Sequence, residues 1–380
     1  MTYDRSARAT ATMRVLCAVI MACLLQISNQ AQASPPYQQT NPDAYVATGD
    51  GPLRLRAGPG LNHAVLDLLD DGTPLAILGR TSDSIWLEVR TLDQLRNGWV
   101  FGEYVDVRIN LNRLDTSSGP LNFRALISNI SPNAHHIYQQ GQQLGNRANV
   151  FAKVGDSITV SYHMLQPIGE GHYDLGDYDY LQPAIDFFSE ADVHGTNAFA
   201  ATSVAAQVGW TAAAVLMPKF ADPSQCQLNE SPLVCEYRLT QPAFALIMLG
   251  TNDTGYVPAV DYQHNLERII DISIEMGVVP VLSTIPPRTG YEDTVLRFNQ
   301  IVRDVARRYD IPLWDYHYAM AYFENTSLTY DGVHPSLPPR GHDDVAIFKQ
   351  ANLPYGYVLR NLSALHVLDA LWQQIVLEAE

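Results

Sequence analysis

The feature that most constrains the fold is the run Phe151-Ala152-Lys153-Val154-Gly155-Asp156-Ser157-Ile158-Thr159. It is a short apolar segment broken by glycine and followed at once by a serine. A run of this length bounded by Gly suits a buried strand of a parallel sheet, and open α/β sheets bind ligands just beyond the carboxyl ends of such strands. Ser157 falls at that place. A serine hydroxyl is a weak nucleophile alone, so chemistry there also needs a base, a group that orients the base, and donors for a developing oxyanion.

The rest of the chain after residue 150 fits the same sheet. Apolar runs at 244–249, 278–284 and 311–314 alternate with helical patterns, as in a parallel sheet covered on both faces. Leu266, Ile269, Ile270, Ser273 and Ile274 share one helical face, with Gly277 as the stop, and Val295, Phe298, Ile301, Val302 and Val305 repeat the spacing. A last helix is expected over 364–377. Pro280 is awkward in a central strand, so the 278–284 strand is expected to start late or lie near an edge. Lys153 departs from an all-apolar strand, and its ammonium is expected to snorkel to a polar edge.

Ahead of this part lie four segments. Residues 1–33 read as a secretory leader: Arg5, Arg8 and Arg14 precede an apolar stretch, and Ala31-Gln32-Ala33 supplies a small-x-small cleavage pattern. Lipidation at Cys23 is the weaker alternative, since Met21 fits that signal poorly. Residues 34–43 form a Pro- and Gln-rich spacer. Residues 44–108 alternate short strand patterns with turns at Gly49-Asp50-Gly51, Gly58-Pro59-Gly60, Asp70-Asp71-Gly72 and Asn97-Gly98, the signature of a small barrel. Residues 109–149, poor in apolar runs, are expected to be a connector. No later segment is long and apolar enough to span a bilayer.

Charge and cysteine content narrow the class of partner. Of 24 basic and 40 acidic residues, the leader removes three arginines and one aspartate, leaving 21 against 39, a net charge of −18. Such a surface disfavours nucleic acid and anionic lipid. Without Cys17 and Cys23 the chain keeps Cys226 and Cys235, an even pair that suggests a local disulfide; two cysteines alone fall short of a zinc site.

Four blocks then fall at loops on the carboxyl edge: Gly155-Asp156-Ser157, Gly209, Gly250-Thr251-Asn252-Asp253, and Asp331-Gly332-Val333-His334-Pro335. Asp331 is close enough to His334 to fix its tautomer, and His334 could take the Ser157 proton. The backbone N–H groups of Ser157 and Gly209 and the Asn252 amide are candidate oxyanion donors. These blocks resemble the SGNH hydrolase superfamily, the GDSL esterases, over residues 150–380. The resemblance implies a flavodoxin-like α/β/α sandwich, an acyl-enzyme mechanism and no metal or other cofactor. Leu53-Arg54-Leu55-Arg56-Ala57-Gly58-Pro59, Gly72-Thr73-Pro74-Leu75, Trp86-Leu87-Glu88-Val89 and Gly98-Trp99-Val100 resemble the bacterial SH3 family, SH3b, which implies a tether to cell wall or extracellular glycan. Trp86 and Trp99 are expected in the core more than on a ligand platform.

Other clusters carry weaker expectations. His342 with Asp343 and Asp344 is the alternative base, and His163 is a packing residue. Tyr162, Tyr173, Tyr178, Tyr180, Phe187 and Phe188 either wall the site or fill a small core of their own. Asp174, Asp177 and Asp179 have a spacing unlike an EF-hand. The reading is a secreted esterase acting on acylated small molecules or on acetylated polysaccharide. An O-acyltransferase using the same serine and a catalytically inactive wall-binding protein are its rivals.

Overall fold

The computed structural model describes residues 42–379 except 62, 94, 95, 115–120, 122, 324 and 325. The expected leader and the spacer up to residue 41 therefore lie outside the described residues.

Period-two alternation governs the first module. Seven strands, β1 (Ala44–Val46), β2 (Leu53–Arg56), β3 (Val65–Leu69), β4 (Pro74–Arg80), β5 (Trp86–Thr91), β6 (Asn97–Phe101) and β7 (Val105–Val107), form one antiparallel sheet in the order β3-β2-β6-β5-β4-β1-β7. In β5 the inward residues Leu87, Val89 and Thr91 are buried, while Trp86, Glu88 and Arg90 point the other way. Leu55, Leu75, Leu87, Val89 and Val100 make the centre of its core. On the outer face of β6, Asn97 donates Nδ2 to the Ala125 carbonyl at 3.2 Å, and Trp99 is buried. Trp86 stays half-buried, its ring edge-on to Phe101 with centroids 5.5 Å apart.

The second sheet has the order β8-β12-β11-β10-β9, built from β8 (Ile127–Ser128), β9 (Arg147–Gly155), β10 (Pro242–Met248), β11 (Val279–Ser283) and β12 (Leu313–Trp314). β9 to β12 pair in parallel and β8 closes the edge antiparallel. Every residue of β10 is buried, as expected of a strand covered on both faces. Its Phe244 stacks on Tyr138 of helix α1 (Pro132–Leu144), and also meets Phe188 of α3 (Gln182–Ser189). Elsewhere α4 (Pro232–Thr240) meets α5 (Ala259–Glu275) through the Tyr237 and Ser273 hydroxyls, 2.9 Å apart, and Tyr262 of α5 stacks on Phe298 of α6 (Glu292–Tyr309). Between these lie α2 (Ser157–Val160) and, later in the chain, α7 (Tyr316–Tyr322) and α8 (Gly356–Leu371).

Several expectations need correction. Residues 109–149 are no mere connector: they supply β8 and α1, whose Ala134, Ile137, Tyr138 and Gly141 are buried. Ser131 caps α1 by accepting the Ala134 N–H, and Gly145 ends it in the left-handed region. Gly141 cannot carry a side chain, because a Cβ there would lie 2.0 Å from the Gly277 carbonyl. The strand with Pro280 is the middle strand, not an edge. Leu282 N–H bonds Pro312 O and Thr284 N–H bonds Trp314 O, so by alternation position 280 would aim at the Asp310 carbonyl. That carbonyl instead accepts the Ser131 hydroxyl at 2.6 Å, and the missing proline N–H leaves no gap. The last helix starts eight residues earlier than expected, at Gly356. Lys153 does not reach an edge: it is buried and donates Nζ to the Phe199 carbonyl at 2.7 Å.

Candidate active site

β9 ends at Gly155, and Asp156 caps the single turn of α2 by accepting the Ile158 N–H at 3.0 Å. That cap presents Ser157 as the first residue of the helix, two positions past the strand. Asp156 is wholly buried, and burial lifts its carboxyl to about 6 against the pull of the Ile158 N–H and Arg360.

Ser157 Oγ lies 2.9 Å from His334 Nε2, and His334 Nδ1 lies 2.7 Å from Asp331 Oδ2. Burial alone would raise the Asp331 carboxyl, but four hydrogen bonds outweigh it and hold it far below the usual carboxylate range. They come from the Thr329 hydroxyl at 2.5 Å, the Val333 N–H at 2.8 Å, the His334 N–H at 3.0 Å and the His334 ring. A carboxylate held ionised on Nδ1 keeps the proton there and leaves Nε2 free to accept one from a hydroxyl. The three residues named from sequence thus form one continuous chain of hydrogen bonds.

The Gly209 loop is tied down along its length. Gly155 N–H donates to Ala205 O at 3.1 Å and Gln207 N–H to Gly155 O at 3.2 Å, which extends the sheet past β9. Val204 N–H donates to Glu236 at 2.8 Å. Asn252 Nδ2 donates to Trp210 O at 2.9 Å, which leaves its second amide N–H uncommitted to that bond. Asp253, wholly buried, accepts the Ala212 N–H on both oxygens at 3.1 and 3.2 Å. Gly209 has φ +79°, and a Cβ there would meet nothing within 4 Å, so its glycine answers to backbone conformation and not to crowding.

Sequence reasoning missed the residues that hold these loops. For Asp253 the signal in the sequence is its place beside Asn252. Arg288 had none: from the loop after β11 it donates Nη1 to Thr251 O at 2.5 Å and to the Thr254 hydroxyl at 2.7 Å. The next residue, Thr289, donates its N–H to Gly332 O at 2.8 Å, so one loop touches both the Asn252 turn and the Asp331 turn.

The alternative base is not used. His342 faces His163, Nδ1 to Nδ1 at 3.2 Å, with Tyr162 packed on both rings. Of the aromatic stretch, Phe188 is core, Phe187 packs on Trp372, and Tyr178 and Tyr180 pack on His366. Asp174 pairs with Lys349 at 2.9 Å. Cys226 and Cys235 are joined as a disulfide. Among the described residues no helix is long and apolar enough to cross a membrane.

Residues 51–106 match the bacterial SH3 domain family, and residues 154–342 match the GDSL-like lipase/acylhydrolase family. A search of curated proteins finds no match. Among solved structures the chain is similar to a lipase/acylhydrolase from Enterococcus faecalis, at 19% identity and TM-score 0.36, covering 59% of this chain and 96% of that one. It is also similar to the acetylxylan esterase Axe2 from Geobacillus stearothermophilus, at 16% identity and TM-score 0.36, over 57% and 93%. A structure described as a peptidoglycan O-acetylesterase in action aligns at 10% identity and TM-score 0.41, over 66% and 99%.

Proposed function

This chain carries a bacterial SH3 domain ahead of a GDSL-like lipase/acylhydrolase domain and is an ester-hydrolysing serine hydrolase, and from that premise we propose that it removes acetyl groups from an extracellular or cell-wall polysaccharide through a Ser157 acyl-enzyme. The observation that carries the mechanism is the hydrogen-bonded chain from Ser157 Oγ through His334 to Asp331.

In the first half-reaction His334 Nε2 takes the Ser157 proton as Oγ attacks the ester carbonyl. The tetrahedral oxyanion is met by the N–H groups of Ser157 and Gly209 and by the Asn252 amide. Collapse of that intermediate expels the sugar hydroxyl, which takes its proton from His334. Water then enters, His334 accepts its proton, and acetate leaves as Ser157 is restored. Asp331 holds the imidazole orientation throughout and does not itself carry the proton.

The carbohydrate part of the reading is supported by the attached SH3 domain, whose family resemblance implies a wall or matrix tether. Extracytoplasmic location is supported by the Cys226–Cys235 disulfide, which suits an oxidising compartment, and by the leader pattern in the sequence. The deciding experiment is a panel of acyl esters, short to long and including acetylated glycans, run on the purified mature protein. Acetate release from acetylated glycan, lost in Ser157→Ala, is expected. No release from any ester, or preference for long acyl chains on non-sugar alcohols, would defeat it.

A further inference from the structure

We propose that Asp253 is a positioning residue for oxyanion stabilisation, its buried carboxyl holding the Gly209 loop in register with Asn252. The inference rests on the reading of Gly209 and Asn252 as oxyanion donors.

Asn252 and Asp253 are consecutive in one turn after β10, and both reach across to the same loop. The Asn252 amide takes the carbonyl of Trp210, and the Asp253 carboxyl takes the N–H of Ala212. Residues 210 and 212 follow directly on Gly209, so the two distant donors of the oxyanion hole are joined through three hydrogen bonds and cannot drift independently. Oxyanion donors work by being fixed before the charge develops, and small displacements forfeit much of their effect.

Two details separate this from ordinary loop packing. Both carboxyl oxygens engage a single N–H, at 3.1 and 3.2 Å, a fork that limits rotation as well as distance. Asp253 is also wholly buried with no salt bridge to a basic residue among the described residues, an arrangement that a surface-type turn contact would not need. Burial lifts its carboxyl to about 7, with the nearby Asp156 adding to the rise against the Ala212 bond.

The test uses the whole mature protein with p-nitrophenyl acetate, each rate divided by the sites that a fluorophosphonate titrates. Asp253→Asn is nearly isosteric but leaves the Ala212 N–H one acceptor oxygen in place of two; Asp253→Ala leaves it none. Per titrated site, kcat is expected to fall roughly tenfold in Asp253→Asn and roughly a hundredfold in Asp253→Ala, against ~10²–10³ for outright loss of a donor. KM should stay within about twofold, and the inhibition constant for methylboronic acid, whose serine adduct is tetrahedral, should rise in step with the fall in kcat. Wild-type kcat per site in both variants, a change confined to KM, or a loss that vanishes on site normalisation would each overturn the proposal. Wild-type protein inert to every ester would instead defeat the functional reading, so the two failures are distinguishable.

Discussion

Glu236 of α4 accepts the backbone N–H of Val204 at 2.8 Å, so the helix that carries Cys235 of the disulfide anchors the root of the Gly209 loop. The glutamate is buried, and burial lifts its carboxyl to about 7 despite the Val204 bond and the Lys153 charge. This pair links the stability of the fold to the geometry of its active site.

A pH dependence of stability follows. The carboxyls of Glu236, Asp253 and Asp156 are raised to about 7, 7 and 6, so between their unfolded values near 4 and these values the native state binds more protons than the unfolded one. Their contribution is therefore lost as pH rises through the folded values. His163, His317 and His366, each lowered to about 4 mainly by burial, act oppositely below about pH 6.5, where the unfolded imidazoles take protons first. The free energy of unfolding is expected to fall between about pH 6.5 and 7.5, above the range of the histidines and below the range in which Lys153, lowered by burial to about 8, acts oppositely, and Glu236→Gln should flatten that fall. Urea titrations at three pH values check this, and a rise in stability across the same range would contradict it.

Ser157→Ala and His334→Ala should each lower hydrolysis of an activated acetyl ester at least ~10³-fold while the melting temperature stays within about 2 °C. Asp331→Asn should lose less than either, since it disturbs orientation and not the attacking atom. A variant of Ser157 or His334 that retains wild-type turnover would remove the proposed nucleophile or base.

Gly209→Ala isolates the backbone. A methyl group there meets nothing, so any effect comes from forcing an L-residue to φ +79°, at about 1 kcal/mol. Stability measured by denaturant should drop by that small amount, and turnover should drop by more than stability explains. Equal activity in the alanine variant would argue that the loop conformation is unimportant to catalysis.

Arg288→Met should free the peptide between Thr251 and Asn252 and reduce kcat several-fold, with Arg288→Lys recovering part, because a single ammonium can still reach the Thr251 carbonyl. Steady-state kinetics on both variants decide it. Equal kcat in wild type and Arg288→Met would show that the Asn252 turn holds without this contact.

Loss of the Cys226–Cys235 bridge, as Cys226→Ser with Cys235→Ser, should cost roughly 2–3 kcal/mol by the chain-entropy argument for so short a loop. Fluorophosphonate labelling of Ser157 should be unaffected at temperatures where the variant is folded, as a labelling experiment alongside thermal unfolding would report.

Much of this protein was legible without coordinates, and for local reasons. Strand ends marked by Gly155 and Gly250, the helical spacing of Leu266, Ile269 and Ile270, and the short Asp331-to-His334 interval are each contained within a few residues, where period and capping chemistry speak directly. Even α1 was within reach, since Ser131-Pro132 opens it, Gly145 closes it and Ala134, Ile137, Tyr138 and Gly141 mark its buried face; the glutamines between them obscured the pattern. Tertiary structure alone decided that Pro280 sits mid-sheet and that Lys153 stays inside. It also decided that Asn252 and Asp253 clasp a loop some 40 residues away. Those outcomes depend on hydrogen bonds between segments distant in the chain, whose partners leave no periodic trace in either segment and become neighbours only when the sheet assembles.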